Sequence, residues 1–354
     1  MTWPHTPTCS VVICTDGRSA ALAETLAALP YLSGPDFEVC VVRGPTEDGI
    51  DRVLAAWGGR VKVGFTPLRN LSVSRNIGIA LAAGDVIAFL DDDAVPEPEW
   101  LADLVAGFDD ARVASVGGRN VDRTGTRFQY GYAVCDRLGR ADAGRESPAD
   151  ALCAAGAPVF PYVQGTNCAA RRADLEAVGG FDEEYDFYLD ETDLCCRLVD
   201  AGRIVRQLPG GLVHHRYLPS RIRNAHRVTH RLHAVLKNKL YFSLVNGCGH
   251  HDDQTALEDF AAFAELHERQ LAEIAAAGLV PGWTVAGHRA DVERARQVGL
   301  ARGRAGQRRL MSPGLVTEFR RPFLPFPRRP AAEWHSCPLF PSPTGRPQPA
   351  ASCA

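Results

Sequence analysis

Short apolar runs alternate with helix-forming segments over residues 9–214. The apolar runs predict buried strands at residues 9–14, 37–42, 61–65, 85–90, 114–120, 159–165 and 204–214. The segments between them predict helices at residues 19–29, 49–57, 72–83, 98–108, 171–178 and 192–201. Alternating strands and helices are typical of a mostly parallel sheet with helices on both faces. The pattern therefore predicts an α/β fold.

The alternation ends after residue 216. Three long helical stretches are predicted beyond it, at residues 221–244, 254–277 and 288–304. Residues 313–354 contain ten prolines, and this composition predicts an extended, disordered tail with no contribution to the core. We therefore divide the chain into a binding and catalytic domain (8–216), a helical C-terminal region (217–312) and a Pro-rich tail (313–354).

Charge is nearly balanced overall but unevenly distributed. The 39 Lys and Arg against 42 Asp and Glu give a formal net charge of −3, which provides no reason to expect a nucleic acid partner. Residues 1–200 contain 17 basic and 31 acidic side chains, whereas residues 201–354 contain 22 and 11. Residues 201–251 contain nine Lys and Arg and no acid. Such a segment could clamp a diphosphate, hold an anionic acceptor or contact a membrane, and a solvated helix face is the alternative.

Cysteine spacing and hydropathy bear on the compartment. The eleven cysteines include no C-x-x-C pair, and no run of 18 apolar residues occurs. We expect reduced thiols and a cytoplasmic protein. Segment 216–239 is the candidate for a weak peripheral contact with the inner face of the membrane.

Three adjacent aspartates, Asp91, Asp92 and Asp93, follow the predicted strand 85–90 directly. Ligands of open α/β sheets bind outside the carboxyl ends of the strands, which places these acids at the expected mouth of a site. Crowded carboxylates repel each other unless a hard cation such as Mg²⁺ or Mn²⁺ binds them, and such ions commonly bridge carboxylates to substrate phosphates. A solvated acidic turn is the alternative, and the position at a strand end favours the metal.

Five ordered segments together resemble the family-2 glycosyltransferases. They are SVVICTDGR, LSVSRNIGIALAAGDVIAFLDDD, QGTNCAARR, GGFDEEYDFYLDETDLCCRL and GGLVHH, and the resemblance covers residues 8–245. It implies a GT-A fold and a nucleotide-sugar donor, which would be a UDP-, GDP- or dTDP-sugar. It also implies Mn²⁺ or Mg²⁺ as cofactor and a hexosyltransferase-type, inverting transfer to an unknown acceptor.

The resemblance also assigns the metal ligands. Asp91 and Asp93 would be the outer members of a D-x-D motif, with Asp93 on the metal and Asp91 or Asp92 near the ribose of the donor. A histidine at position 214 or 215 would complete the metal shell. Since adjacent strand residues face opposite ways, only one of the two points into the site easily, and His214 is preferred.

The acids at positions 190 and 191 match the place where the family has its general base. Glu191 aligns with the base, and Asp190 could reach the same point with a shorter side chain. Helix capping is the alternative for acids in a first turn, but the preceding Gly-Gly-Phe-Asp favours the catalytic role.

The remaining assignments concern the donor. The resemblance places Thr15, Asp16 and Arg18 in the base-binding loop, Arg75 at a helix start near the donor, and Gly165, Thr166 and Asn167 on the floor between donor and acceptor. Arg43 departs from the pattern, because many relatives have an aspartate there, so the identity of the base stays open. A second metal face of His226, His230 and His233 on the predicted helix is less favoured than a partly packed polar face.

Other classes of protein fit less well. A nucleotidyltransferase would have a Gly-rich, Arg-containing phosphate loop after the first strand, and a dinucleotide oxidoreductase would have G-x-G-x-x-G there. The chain has Thr-Asp-Gly-Arg at that point. A noncatalytic nucleotide-sugar-binding module of the same fold remains an alternative, against which the acids at 91–93 and 190–191 argue.

Overall fold

A computed structural model of the chain describes residue 3 and residues 5–330. In chain order the strands are β1 (Cys9–Thr15), β2 (Phe37–Arg43), β3 (Lys62–Phe65), β4 (Val86–Asp91), β5 (Ala94–Pro96), β6 (Val113–Gly117), β7 (Asn120–Val121), β8 (Phe128–Tyr130), β9 (Tyr132–Asp136), β10 (Ala141–Arg145), β11 (Val159–Pro161), β12 (Asn167–Arg171), β13 (Ile204–Gln207) and β14 (Val213–His215). The α-helices are α1 (Ser19–Ala28), α2 (Ile50–Ala55), α3 (Leu71–Leu81), α4 (Trp100–Ala106), α5 (Arg172–Ala177), α6 (Asp190–Asp200), α7 (His233–Asn246), α8 (Asp253–Ala276), α9 (Trp283–Ala305) and α10 (Pro313–Phe319).

Seven strands form the central sheet, in the order β13-β6-β12-β4-β1-β2-β3. Strand β12 is antiparallel to β4 and β6, and the other pairings are parallel. Alternate residues of β1 enter apolar cores on opposite faces: Val12 packs with residues of α3 and α6, and Val11 with residues of α1 and α4. The predicted α/β sheet with helices on both faces is confirmed.

Two smaller sheets flank the central one, in the orders β5-β14-β7-β8 and β10-β9-β11. The predicted strand 204–214 is therefore two strands, because β13 lies in the central sheet and β14 lies beside β5. Glycines allow the chain to cross between them. A Cβ on Gly118 would lie 2.0 Å from the carbonyl oxygen of Gly211, so the two backbones approach closely only because position 118 has no side chain.

The helical C-terminal region is built from α7, α8 and α9, which pack against one another. The prediction of one helix over residues 221–244 is wrong in its first half, since α7 begins at His233. Residues 220–229 form a compact loop with bridges between Ser220 and Arg223 and between Arg223 and Thr229. Consequently the arginines at 221, 223, 227 and 231 precede the helix, and the three histidines at 226, 230 and 233 share no helical face.

Residues 313–330 differ from the expectation of a tail without core contacts. Helix α10 is followed by an extended segment in which Leu324 N donates to Glu38 Oε2 (2.8 Å) and Arg321 O accepts from Lys62 Nζ (3.0 Å). Phe326 is buried against Phe37, with ring centroids 5.5 Å apart. Prolines exclude regular pairing here, but they do not prevent the apolar residues between them from packing. Residues 331–354 lie outside the described residues.

Within residues 3 and 5–330, no helix has both the length and the apolar composition that crossing a bilayer requires.

Candidate active site

The candidate site lies at the edge of the central sheet where the parallel strands end. Strands β1 and β4 run side by side, with Cys14 beside Asp91. Strand β12 runs the opposite way and begins at this edge, where Asn167 pairs with Leu90. Residues that are far apart in sequence therefore meet at one edge of the sheet, as the strand pattern predicts.

Asp91, Asp93 and His215 form a cluster that could hold a metal ion. Their ligand atoms all lie within 4.8 Å of one another. His215 Nε2 is 3.5 Å from Asp93 Oδ1 and 3.9 Å from Asp91 Oδ2. Two carboxylates and an imidazole suit Mn²⁺ or Mg²⁺ better than a soft metal.

Gln129 orients the imidazole of His215. Its amide nitrogen donates to the carbonyl oxygen of His215 (3.0 Å), which places Gln129 Oε1 3.1 Å from His215 Nδ1. An oxygen acceptor at Nδ1 favours the tautomer with its proton on that atom, so the lone pair of Nε2 faces the aspartates. This is the usual support for a metal-ligating histidine.

Asp93 provides a further test of whether the cluster fits a cation. Its Oδ2 accepts from Leu218 N (2.7 Å) and Arg18 Nη1 (3.0 Å), whereas its Oδ1 is buried and has no hydrogen-bond partner. Burial opposes ionisation, but the Arg18 guanidinium and the backbone nitrogen of Leu218 help to hold the pKa of Asp93 well below its usual range. A buried, ionised carboxylate with an unpartnered oxygen beside two other ligand groups fits a divalent cation.

The structure places Arg18 behind the aspartates. Its Nη2 lies 2.5 Å from Asp92 Oδ1 and its Nε donates to Asp92 Oδ2 (3.2 Å), in addition to the contact with Asp93. Burial raises the pKa of Asp92 to about 7, while Arg18 acts in the opposite direction. Asp92 has no exposed surface and its carboxylate is paired with Arg18, so Asp92 is not free to contact a donor in this arrangement, whereas the side chain of Arg18 is 22% exposed.

The preference for His214 over His215 is not supported by the geometry. His214 Nε2 lies 2.5 Å from Glu97 Oε1. Neighbouring residues of β14 point to opposite faces, as expected, but the face that meets the aspartates is that of His215. The parity of the strand could not be read from the sequence, because β14 begins a new sheet after a glycine-rich crossing.

The two acids at the start of α6 have different surroundings. Asp190 is buried and forms an ion pair with Arg75, which is itself 4% exposed and lies over the ring of Phe181. A Cβ on Gly165 would lie 2.1 Å from Arg75 Nη2, so any side chain at this position would displace the guanidinium. The charge of Asp190 is thus committed to a structural pair.

Glu191 is partly exposed, and its Oε1 lies 3.5 Å from the backbone nitrogen of Gly165. Burial of the carboxyl and the charge of Asp190 raise the pKa of Glu191 to about 8, although Arg75 acts in the opposite direction. In its ionised form, a carboxylate with such a pKa is a stronger proton acceptor than an ordinary glutamate.

The other residues predicted to contact the donor have different surroundings in the structure. Asp16 Oδ1 accepts from Thr46 N (2.9 Å) at the end of β1. The Thr15 hydroxyl interacts with the carboxylate of Asp92, and Thr166 has a buried hydroxyl without a hydrogen-bond partner, so both remain candidates. The prediction that Asn167 lines the floor between donor and acceptor is wrong. Asn167 is fully buried: its amide oxygen accepts from Trp100, and its amide nitrogen donates to the carbonyl oxygens of residues 119 and 211.

Arg43 lies beside acids of its own loop. Its Nη1 is 3.4 Å from Glu47 Oε1 and its Nε is 3.7 Å from Asp51 Oδ1, and the guanidinium covers the ring of Phe65 at 4.9 Å.

The sequence does not predict the roles of Gln129 and Glu97 beside the two histidines. No motif marks these residues, and the histidines that they contact lie far away in the sequence.

The architecture is that of the GT-A glycosyltransferases. A mannosyltransferase from Pyrobaculum calidifontis, solved in complex with GDP-Man and Mn²⁺, is similar in fold, with a TM-score of 0.52 at 18% identity over 84% of this chain and 88% of that one. GalNAc-T7, solved with UDP, GalNAc and Mn²⁺, gives a TM-score of 0.51 at 16% identity over 69% of this chain and 48% of the other.

The sequence comparisons are more specific. The family model described as Glycosyl transferase family 2 matches residues 10–179. The pre-mycofactocin glycosyltransferase of Mycobacterium tuberculosis is 32% identical over 154 residues, which are 41% of this chain and 29% of that protein. The glucosyl-dolichyl phosphate glucuronosyltransferase of Haloferax volcanii is 34% identical over 115 residues, which are 31% of this chain and 37% of that protein. Residues 10–179 are therefore similar to the family-2 glycosyltransferases. The matched region spans well under half of either relative.

Proposed function

We propose that the protein transfers a sugar from a nucleoside-diphosphate sugar to an acceptor nucleophile, with inversion and with the help of a divalent cation. One observation carries the proposal: the cluster of Asp91, Asp93 and His215 and the acid pair at 190–191 lie at the same edge of the sheet. The negative charges of Asp91, Asp190 and Glu191 all stabilise the charged form of one buried guanidinium, that of Arg75, and so raise its pKa.

The metal would be held by Asp91, Asp93 and His215, with Mn²⁺ and Mg²⁺ both compatible with these ligands. When bound, the cation would offset the negative charge that builds on the departing diphosphate. The chain's own groups prepare this site: Gln129 fixes the ring of His215, and Arg18 with the backbone nitrogen of Leu218 keeps Asp93 ionised. The nucleotide-bound structural neighbours favour a nucleoside-diphosphate sugar as donor.

Glu191 would act as the general base on the acceptor. Of the two acids it alone is partly exposed, and its raised pKa suits proton removal from a hydroxyl. Asp190 is occupied by Arg75 and would hold the start of α6 in place. A base that activates the acceptor for a single in-line displacement leads to inversion at the anomeric carbon.

The two adjacent histidines provide a matched test of the metal proposal. The full chain would be titrated with Mn²⁺ and with UDP-, GDP- and dTDP-sugars while its melting temperature is recorded. A donor at 100 times its dissociation constant adds about 2.7 kcal/mol of stability, which is readily detected. We expect His215→Ala to abolish the Mn²⁺-dependent part of the donor shift and of donor turnover, and His214→Ala to retain both.

The opposite ranking of the two variants would overturn the metal assignment, as would full donor turnover by the unaltered chain in excess chelator. Inversion is tested separately, by the anomeric configuration of the sugar that NMR detects first when the donor is hydrolysed. Retention of the donor's configuration would refute the single-displacement mechanism.

A further inference from the structure

A loop that leaves the candidate active site carries charges that the site does not use. Residues 216–232 follow His215 directly, and the loop is fixed to the site at its start. Arg216 N donates to the carbonyl oxygen of Asp93 (3.0 Å) and Leu218 N donates to the carboxylate of the same residue (2.7 Å). The start of the loop therefore lies next to the candidate metal cluster.

Two of the five arginines in the loop have internal partners. Arg216 forms an ion pair with Glu24, and Arg223 donates to Leu218 O (3.0 Å) while its guanidinium covers the ring of Tyr217 at 3.5 Å. Arg221, Arg227 and Arg231 are exposed, and none of them has an acidic group within 4.0 Å among the residues that the structure describes. Three unneutralised cations of this loop thus face solvent.

The loop contacts a connection that carries exposed apolar side chains. Asn224, in the same turn as Arg227, donates from Nδ2 to the carbonyl oxygen of Leu279 (2.9 Å) and so joins the loop to the connection between α8 and α9. Leu279 is 38% exposed. Trp283, which begins α9, is 73% exposed, the highest value among the large apolar residues of the described part of the chain.

We propose that this mixed surface, consisting of Arg221, Arg227, Arg231, Leu279 and Trp283, binds the surface of an anionic lipid bilayer. Arginines are attracted to anionic headgroups, and an indole prefers the boundary between headgroups and acyl chains. A phosphate or an acidic peptide would be recognised by the arginines alone and would leave Trp283 and Leu279 without a role. The combination of charge and apolar area favours a bilayer, because a bilayer offers anionic headgroups to the arginines and an apolar boundary to Trp283 and Leu279.

The consequence is that the candidate active site would work at the membrane surface, without a membrane-spanning helix. This inference does not depend on the proposed transfer reaction, because binding to lipid can be measured without donor or acceptor. It identifies as the docking element a loop and a helix start, in place of the helix that the basic segment predicts from sequence.

Flotation of the full chain with vesicles tests the proposal. Vesicles of phosphatidylcholine alone would be compared with vesicles that contain about 30 mol% phosphatidylglycerol, a content chosen to give a negative surface potential. We expect binding to the anionic vesicles only, and weaker binding as salt screens the charges. Replacing Arg221, Arg227 and Arg231 together by Gln should lower the partition coefficient by about 100-fold, since each arginine near the surface contributes roughly a factor of five.

The matched control replaces three other exposed arginines, Arg52, Arg60 and Arg112, by Gln and so changes the net charge equally. This control should bind like the unaltered chain, and both triple variants should keep its melting temperature. Trp283→Ala should weaken binding at low and high salt alike, because the indole contribution is not electrostatic.

Equal losses in the two triple variants would show attraction by net charge alone and overturn the proposal. Unchanged binding of Trp283→Ala, with full competition by inorganic phosphate or poly-glutamate, would assign the arginines to a different anionic ligand and overturn it as well. Equal binding to neutral and anionic vesicles would also refute it.

Discussion

The two neighbouring acids of α6 should respond differently to the removal of their charge. Asp190→Asn and Glu191→Gln are nearly isosteric changes at adjacent positions, and one carboxylate is buried in an ion pair whereas the other is partly exposed. If Glu191 is the general base, Glu191→Gln should lower the turnover number by about 10²–10⁴ and leave donor affinity nearly intact, because the base acts on the acceptor.

The cost in stability should fall on the other residue. Asp190→Asn leaves the guanidinium of Arg75, 4% exposed, without its carboxylate. Breaking a buried ion pair by removing one partner typically costs about 3–5 kcal/mol, because the remaining charge stays desolvated. Glu191→Gln removes no ion pair, so its free energy of unfolding should differ from that of the unaltered chain mainly through proton binding.

The pH dependence of that difference has a definite sign. The pKa of Glu191 is about 8 in the folded state, against 4.5 as its ordinary value, so between these pH values the folded chain holds a proton that the unfolded chain releases. Stability falls with rising pH wherever the folded state binds more protons. The penalty is absent below about pH 4.5 and complete above about pH 8. Glu191→Gln removes it, so the variant should gain stability relative to the unaltered chain over this range.

Urea unfolding of both variants at pH 5, 7 and 9, combined with donor binding and turnover at each pH, would check these expectations. Two results would refute the reasoning: an Asp190→Asn chain as stable as the unaltered protein, or a Glu191→Gln chain that keeps normal turnover. The second result, together with an inactive but stable Asp190→Asn chain, would move the base one residue back.

Three further changes test the packing around the site. Gly165→Ala should displace Arg75 and lower both stability and turnover, whereas Gly287→Ala, at an open helical position, should be neutral or stabilising by roughly 0.5–1 kcal/mol; paired melting and activity measurements decide this. Arg308→Met should cost about 3–5 kcal/mol in urea unfolding, because Arg308 is paired with the fully buried Asp182 (3.3 Å) and Asp193 (2.6 Å), and only Asp193 has a second cation, Arg197, among the described residues; a neutral outcome would contradict the ion-pair argument. A chain ending at residue 312 should melt well below one ending at residue 330, and equal melting temperatures would restore the expectation of a tail without core contacts.

Local periodicity predicts most of the central sheet and the position of the aspartates. The apolar runs that become β1, β2 and β4 are buried on both faces, and the sequence shows their ends clearly because polar residues follow at once. The same reasoning fails for β8 and β10, which are partly exposed, and for β12, whose antiparallel insertion between β4 and β6 is a property of the whole sheet.

The sequence predicts those site residues whose position follows from local secondary structure, and it does not predict contacts between residues that are far apart in the chain. Asp91 and Asp93 follow from their place after a strand. The ion pair of Arg75 with Asp190 joins residues 115 positions apart, and no local pattern records it. Nor does any local signal show that Gln129, 86 residues away, would fix the ring of His215.

The extended segment after α10 also has a consequence for how the chain is completed during synthesis. Lys62 Nζ contacts both Glu38 (2.7 Å) and the carbonyl oxygen of Arg321, which lies 259 residues later. A chain still being translated holds β2 and β3 outside the ribosome long before Arg321 and Leu324 are made. Until those residues emerge, the buried carboxylate of Glu38 lacks its contact with the nitrogen of Leu324, and the ammonium of Lys62 has the carbonyl oxygen of Leu81 but not that of Arg321. The sheet edge that is synthesised early thus reaches its final packing only after Leu324 has left the ribosome.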